Sequence, residues 1–217
     1  MTQASGAALL DQVIEELYAR HTANAAEAAA ARAEYEQRRG KVHEDHELWE
    51  AWSAAFVEWF VVERAASSDD LPVAARTYCE LASAGDRRAE VVGALVTSQR
   101  SLFEVRAMAP RRIELTDLLG GAEFHVAEQR ALHGVEVGDV AELRLCGVGN
   151  EVCFGRTFIY HPKAARDAIV ERARAMLAKG ASRRDVIDQV AKLRVQITRY
   201  RHMPAARVYE LNSRIAG

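Results

Sequence analysis

The hydrophobic period of the sequence changes near residue 100, and this change constrains the fold more than any other feature. Before it, apolar residues recur at helical spacing; after it come short runs rich in β-branched and aromatic residues. Glycine, proline and asparagine separate these runs, as expected for strands joined by turns. The runs cover residues 102–108, 113–115, 123–128, 140–145 and 152–160. The pattern predicts five short antiparallel strands.

Five such strands expose two unpaired edges unless the sheet closes or a helix covers it. We therefore predict a small antiparallel β-barrel-like unit over residues 99–161. Alternation along the strands places one set of large apolar side chains in its interior and leaves little room for a substrate. That set is Phe124, Val126, Leu143, Leu145, Phe154 and Phe158. Function is then expected on the outer face or the loops.

Helical patterns precede the strands. One amphipathic helix is predicted from Ala7 to about Arg39; its second half has few large apolar side chains and depends on helix propensity. Further helices are predicted over 47–66, 72–84 and 86–98, with residues 67–70 as capping residues.

Helical patterns also follow the strands, over 162–180, from Ser182 to about Tyr200, and over 204–215. The predicted fold class is therefore α+β. Its regions are N-terminal helices at 1–98, the β unit at 99–161 and basic C-terminal helices at 162–217.

Charge is distributed unevenly along the chain, although the formal net charge is only −2. Residues 1–70 hold 14 acidic and 6 basic side chains, whereas residues 163–217 hold 5 and 13. Because opposite charges attract, we expect the basic C-terminal helices to face the acidic N-terminal ones. The balanced total gives no global field that favours nucleic acid or an anionic membrane.

Targeting and membrane signals are missing from the sequence. No basic region precedes an apolar run at the N-terminus, and no stretch approaches the roughly 20 apolar residues that cross a bilayer. Cys79, Cys146 and Cys153 form no C-x-x-C pair. We expect a cytoplasmic protein with no cofactor, no disulfide framework and no membrane contact.

Two apolar helix faces are candidates for partner binding. One is an aromatic face formed by Trp49, Trp52, Phe56 and Trp59. The other is a heptad seam formed by Val186, Val190, Leu193, Ile197 and Tyr200. Aromatic residues dominate interface hot spots, and a heptad seam suits a partner helix. Core packing is the favoured interpretation of the aromatic face, because an amphipathic helix must bury its apolar side.

Four arginines of the C-terminal region form the nucleic-acid alternative: Arg183, Arg184, Arg194 and Arg201. On a helical projection the basic side chains flank the seam on both sides instead of forming one stripe. Asp188 is also placed to pair with Lys192 at i, i+4. A helix with many salt bridges is therefore favoured over a nucleic-acid surface.

A metal site is the third alternative, built on His43, His46 and Glu50. The favoured interpretation is a polar linker followed by an acidic first helical turn. Cys146 and Cys153 flank a predicted turn and are interpreted as small core residues. His125 is predicted to point away from the barrel interior and His133 to lie in a turn, so neither is placed to join the cysteines.

Three segments carry a resemblance to known proteins: AAFVEWFVVERA (54–65), SQRSLFEV (98–105) and ELTDLLGGAEFHVAEQRALHGVEVGDVAELRL (114–145). They resemble uncharacterised bacterial proteins in which an E-W-F helix precedes an S-L-F-E-V strand and a D-L-x-x-G-x-x-F-x-V hairpin. Some proteins of that type carry a SEC-C motif, which this sequence lacks. The resemblance implies a shared architecture over about 50–160 and no catalytic position.

Catalytic motifs are also missing: the sequence has no P-loop, no G-x-G-x-x-G opening a helix and no G-x-S-x-G elbow. We therefore predict a non-enzymatic protein-interaction or regulatory module that self-associates. The alternatives are a nucleic-acid-binding protein using the basic helices and a metal-dependent enzyme around His43 and His46.

Overall fold

Five antiparallel strands form one sheet in a computed structural model of the chain, which describes residues 5–65, 70–128 and 134–211. The strand order is β3-β2-β1-β4-β5. The predicted five strands and the α+β class are confirmed. The strands are β1 (Gln99–Ala109), β2 (Arg112–Asp117), β3 (Glu123–Ala127), β4 (Val140–Val148) and β5 (Glu151–His161).

The predicted closure into a barrel is wrong, because β3 and β5 are the two edges of an open sheet. The long β1 pairs with β4 through its first half and with β2 through its second half. Bulges in β1–β2 and β4–β5 add curvature, so the two edge strands come into contact without a hydrogen-bonded ladder. Helices that pack against β5 and the shortness of β3 protect these edges instead.

Apolar side chains fill the concave side of the curled sheet. Four of the six predicted interior side chains belong to this buried cluster, and the other two, Phe124 and Phe158, are partly buried and pack against it. The predicted filling of the unit is therefore confirmed, although the sheet stays open.

The N-terminal segment forms two helices rather than the predicted single one: α1 (Gly6–His21) and α2 (Ala25–Arg39). Asn24 separates them, because its side-chain oxygen accepts hydrogen bonds from the N–H groups that begin α2. The expectation that helix propensity, and not packing, stabilises the second half of the predicted helix is also wrong. Tyr35 is fully buried and packs edge-on against Trp52 and Phe56.

Three further helices precede the sheet: α3 (Trp49–Val62), α4 (Val73–Ser83) and α5 (Arg88–Val96). Each lies within its predicted range, and α4 ends before Gly85, which has a φ of +67°. Of the four predicted capping residues 67–70, the first three lie outside the described residues.

After the sheet come a short 3₁₀ helix (Lys163–Ala165), α6 (Arg166–Ala178), α7 (Arg183–Gln196) and α8 (Ala205–Glu210). The Ser182 hydroxyl accepts from the N–H of Asp185 and caps α7 as predicted. Helix α8 ends at Glu210, and residues 212–215 of the predicted last helix lie outside the described part. None of the helices within the described ranges combines the length and apolar character required to cross a bilayer.

Candidate functional site

A layer of buried charges lies between the helices and the sheet, and we call it the ion-pair layer. It joins three guanidinium groups to four carboxylates, and none of these side chains is more than 6% exposed. Buried ions are tolerated only when they are paired and hydrogen-bonded. The members are Arg39, Glu58, Glu63, Arg100, Glu142, Arg144 and Asp188.

Strand alternation provides the sheet half of this layer. Arg100 and Arg144 are direct partners across β1 and β4, and Glu142 lies opposite Leu102. This face is turned toward α7, since Leu102 belongs to the same core cluster as Leu193. Charged residues at alternating inward positions therefore meet charges carried by α2, α3 and α7.

On the α2 side of the layer, two arginines share two carboxylates. Arg39 donates to Glu142 at 2.6 Å and to Asp188 at 3.0 Å. Arg100 donates to the same acids at 2.9 and 3.1 Å. The half-exposed Arg38 adds a 2.8 Å bond to Asp188. These bonds fix α2 and α7 to the centre of the sheet.

On the α3 side, Arg144 donates to Glu58 at 2.7 Å and also to Glu63, which directly follows α3. Glu58 accepts further bonds from the N–H and the hydroxyl of Thr157 on β5, at 3.2 and 2.7 Å. A Cβ on Gly155 would stand 2.5 Å from a carboxylate oxygen of Glu58. Glycine at 155 therefore permits the close approach of α3 to β5.

Two acids of the layer, Glu63 and Asp188, are held ionised. Burial raises the pKa of the Glu63 carboxyl, but Arg100 and Arg144 outweigh burial and lower the pKa to about 2. For Asp188 burial likewise opposes ionisation, while Arg100 and Arg39 bring its pKa below the usual value. Glu63 and Asp188 therefore stay charged at neutral pH.

At the Glu63 end the layer borders an open cavity of about 240 Å³, which we call the arginine cavity. Four guanidinium side chains and one carboxylate line it, beside apolar walls from α3, α5 and α7. The charged lining residues are Arg100, Arg144, Arg183, Arg184 and Glu63.

Arg183 and Arg184 differ in how firmly neighbouring side chains hold them. Arg183 donates to Asp117 at 2.5 Å and to the Ser101 hydroxyl at 2.9 Å. The Arg184 Nε lies 3.7 Å from a Glu63 oxygen, and its side chain is 62% exposed. Guanidinium groups bind carboxylate and phosphoryl oxygens through paired, charge-assisted hydrogen bonds. The cavity is thus equipped to bind a small anion.

The aromatic face predicted for partner binding is covered within the chain. Trp52, Phe56 and Trp59 are at most 4% exposed and surround Tyr35 of α2, while Trp49 is half-buried. This agrees with the favoured core interpretation.

The α7 seam is also used internally. Val190 and Leu193 are fully buried in a cluster with α6 and the sheet, and Ile197 packs against that cluster although it lies just beyond α7. The helix contacts α2, α6 and α8 of the same chain.

The four arginines of the nucleic-acid alternative lie in different places. Arg183 and Arg184 line the arginine cavity. Arg194 donates to the Tyr160 carbonyl at 2.6 Å and to the carboxylate of Glu47 at 2.9 Å. Arg201 is exposed and donates to a backbone carbonyl three residues earlier. They do not share one surface.

Salt bridges join the N-terminal and C-terminal helices, and the basic side chain comes from either end of the chain. Arg194 contacts Glu47, as expected of a basic C-terminal helix. The contact between α2 and α7, however, is reversed, because α2 supplies Arg39 and α7 supplies Asp188. The predicted pair of Asp188 with Lys192 is therefore wrong, since the carboxylate points into the buried layer.

The histidines of the metal alternative have separate roles. His46 uses both ring nitrogens inside the fold: Nδ1 accepts from Leu48 N–H at 3.0 Å, and Nε2 lies 3.1 Å from the Thr198 hydroxyl. His43 and Glu50 are exposed. Within the described ranges, no three histidine, cysteine, aspartate or glutamate side chains are grouped to hold a metal ion.

Cys146 and Cys153 lie opposite each other on β4 and β5, and both are buried. Burial raises the pKa of the Cys146 thiol to about 12, so the thiol stays protonated. His125 is exposed on β3 and lies 2.8 Å from an Arg112 nitrogen. His133 lies outside the described residues.

Sequence reasoning did not identify the ion-pair layer. A signal was present, because Arg100, Glu142 and Arg144 alternate with apolar residues that the same strands bury. Glu58 likewise stands in the most apolar helix of the chain. A charge at an inward position of a central strand indicates a buried partner.

Comparison with known proteins adds one finding. A family model described as a family of unknown function (DUF7986) matches residues 4–193, a span that contains the whole ion-pair layer and the arginine cavity. No curated protein and no solved structure matches the chain.

Proposed function

The chain belongs to this family of unknown function, and we propose that it is a non-enzymatic interaction module whose arginine cavity binds an anionic group of a protein partner. The group is a phosphoryl or a carboxylate, each of which accepts two parallel hydrogen bonds from a guanidinium fork. Recognition of acidic or phosphorylated segments by arginine clusters is a recurring mode of protein interaction.

The observation that carries the proposal is the charge balance of the cavity wall. Four guanidinium groups and one carboxylate, Glu63, line the cavity, while the buried acids that also pair with these arginines do not line it. Arg184 stands at the exposed side with only a 3.7 Å approach to Glu63. An anion that enters would receive charge-assisted hydrogen bonds from Arg184 without displacing a buried pair.

The chemistry of the wall favours binding over catalysis. The described residues that line the cavity include no histidine and no cysteine. The pKa of Glu63 lies at about 2, far below the value of a group that exchanges protons near pH 7. We therefore assign no catalytic residue.

Titration of the full chain with inorganic phosphate, followed by NMR of the arginine Nε–H groups, tests the proposal. We expect saturable shifts and at least a tenfold loss of affinity in Arg184→Gln. Arg201→Gln removes the same charge from an exposed site elsewhere and should bind phosphate as the wild type does. Equal affinity of both variants, or no saturable shift with phosphate or acetate, would overturn the proposal.

Self-association is part of the proposal, with a second copy of the chain as one protein partner. Sedimentation equilibrium over a range of protein concentrations measures it directly. A mass that stays at 24.0 kDa at every concentration would exclude it and leave another protein as the partner.

A further inference from the structure

A shallow apolar groove lies between α4 and α5, and we call it the α4–α5 groove. Its volume is about 390 Å³. Tyr78 and Val96 line it and are each 40% exposed, which is unusual for large apolar side chains of this chain. The floor is low because residue 93 is glycine: a Cβ there would stand 3.1 Å from the Tyr78 ring.

The α4–α5 groove adjoins the arginine cavity. Val96 lines both, and the two residues that follow it, Thr97 and Ser98, line one each. One side chain therefore separates an apolar compartment from a cationic one. Glu90 lies in the wall of the groove, so a second acidic group is disfavoured there.

We infer that the two compartments together bind an extended peptide segment with an anionic residue at position i and a large apolar residue at i+2. This rests on the proposed function and adds the identity of the partner segment. In an extended chain, side chains at i and i+2 point to the same side and lie about 7 Å apart. Val96 lines both cavities, so they adjoin, and we assign them to neighbouring same-side positions of one extended segment.

The charges select the order in which the compartments are filled. The anion is attracted to the four guanidinium groups, and Glu90 repels it from the groove. The apolar side chain covers Tyr78 and Val96, which water otherwise contacts. Burial of one leucine side chain corresponds to roughly a tenfold gain in affinity or more.

Fluorescence anisotropy with three capped, labelled peptides in a Gly-Ser frame tests this inference on the full chain. The first carries phosphoserine-Gly-Leu, the second phosphoserine-Gly-Ser and the third Ser-Gly-Leu. We expect the first to bind at least tenfold more tightly than the second, and the third not to bind measurably. An aspartate peptide, Asp-Gly-Leu, distinguishes a carboxylate source from a phosphoryl source.

Variants separate the inference from the function on which it rests. Val96→Ser should weaken the phosphoserine-Gly-Leu peptide about tenfold and leave phosphoserine-Gly-Ser unchanged. Val137→Ser is the matched control, because Val137 is 58% exposed away from both compartments. Arg184→Gln should weaken both phosphopeptides.

The outcomes that overturn each idea differ. Equal affinity of the two phosphopeptides, or equal effects of Val96→Ser and Val137→Ser, would refute the groove and leave the anion site standing. Failure of both phosphopeptides while phosphate binds would refute the groove in the same way. Binding of Ser-Gly-Leu that is unaffected by Arg184→Gln would instead refute the anion site.

Discussion

Replacement of Glu63 by glutamine removes one negative charge from the ion-pair layer and changes the side-chain shape little. Burial raises the pKa of this carboxyl, but Arg100 and Arg144 hold it at about 2, against 4.5 in the unfolded chain. Because the folded-state value is the lower one, the stabilisation is complete above pH 4.5 and disappears as the pH falls through 2. The side chain is 5% exposed, so solvent screening is small. The contribution is about 3 kcal/mol at pH 7 and about 1 kcal/mol at pH 3.

Urea unfolding followed by circular dichroism at pH 7 and pH 3 measures this contribution. We expect Glu63→Gln to lower the free energy of unfolding by about 3 kcal/mol at pH 7 and by about 1 kcal/mol at pH 3. Glu123→Gln, at an exposed position of β3, is the control and should change it by less than about 0.5 kcal/mol. A loss below about 1 kcal/mol at pH 7, or an equal loss at both pH values, would refute the argument that the arginines stabilise an ionised Glu63.

Three further predictions follow from the same structure. Burial and two nearby guanidinium groups lower the pKa of His161 to about 3, so the unfolded chain binds a proton that the folded one excludes. Wild-type stability should therefore fall by about 2 kcal/mol from pH 7 to pH 5, and a His161→Gln variant that keeps this slope in urea titrations would contradict the assignment. Leu193→Asp buries a charge and should cost at least about 3 kcal/mol in thermal or urea unfolding, whereas Val137→Asp at an exposed site should be nearly neutral. The chain should not retain DNA or RNA at physiological salt; tight, salt-dependent retention that an Arg194→Glu, Arg201→Glu double variant abolishes would reverse that view.

Local patterns predicted most of the secondary structure, because the relevant signals act over a few residues. The alternation of apolar residues located all five strands, and Ser182 located the start of α7. The break between α1 and α2 was missed although Asn24 is a strong cap, since the alanine-rich sequence on both sides favours a continuous helix. The prediction that the sheet closes was wrong, because a covering helix protects an edge strand as effectively as hydrogen bonds to another strand would.

The ion-pair layer depends on contacts that local patterns do not specify. Arg39 meets Asp188 across 149 residues of sequence and Glu142 across 103. Its charge also opposes the sign that the segment totals predict for the N-terminal region. Net charge of a segment averages over surface residues, whereas the buried contacts are decided by single side chains. Alternation marks the inward charges of the strands, but their partners on the helices were beyond prediction from composition and spacing.

The layer explains why Arg184 is the informative residue of the arginine cavity. Arg100, Arg144 and Arg183 are each fixed by an acid that does not line the cavity: Glu142, Glu58 and Asp117. These three guanidinium groups are therefore already ordered before an anion binds. Binding then costs no side-chain conformational entropy for them.

Replacement of a fixed arginine would remove an ion-pair partner from a buried acid and destabilise the fold, which confounds any binding measurement. Arg184 is 62% exposed and holds no acid closer than 3.7 Å, so its removal leaves the buried pairs of the layer intact. A loss of anion affinity in Arg184→Gln, at unchanged stability, would therefore report on the cavity and not on the layer beneath it.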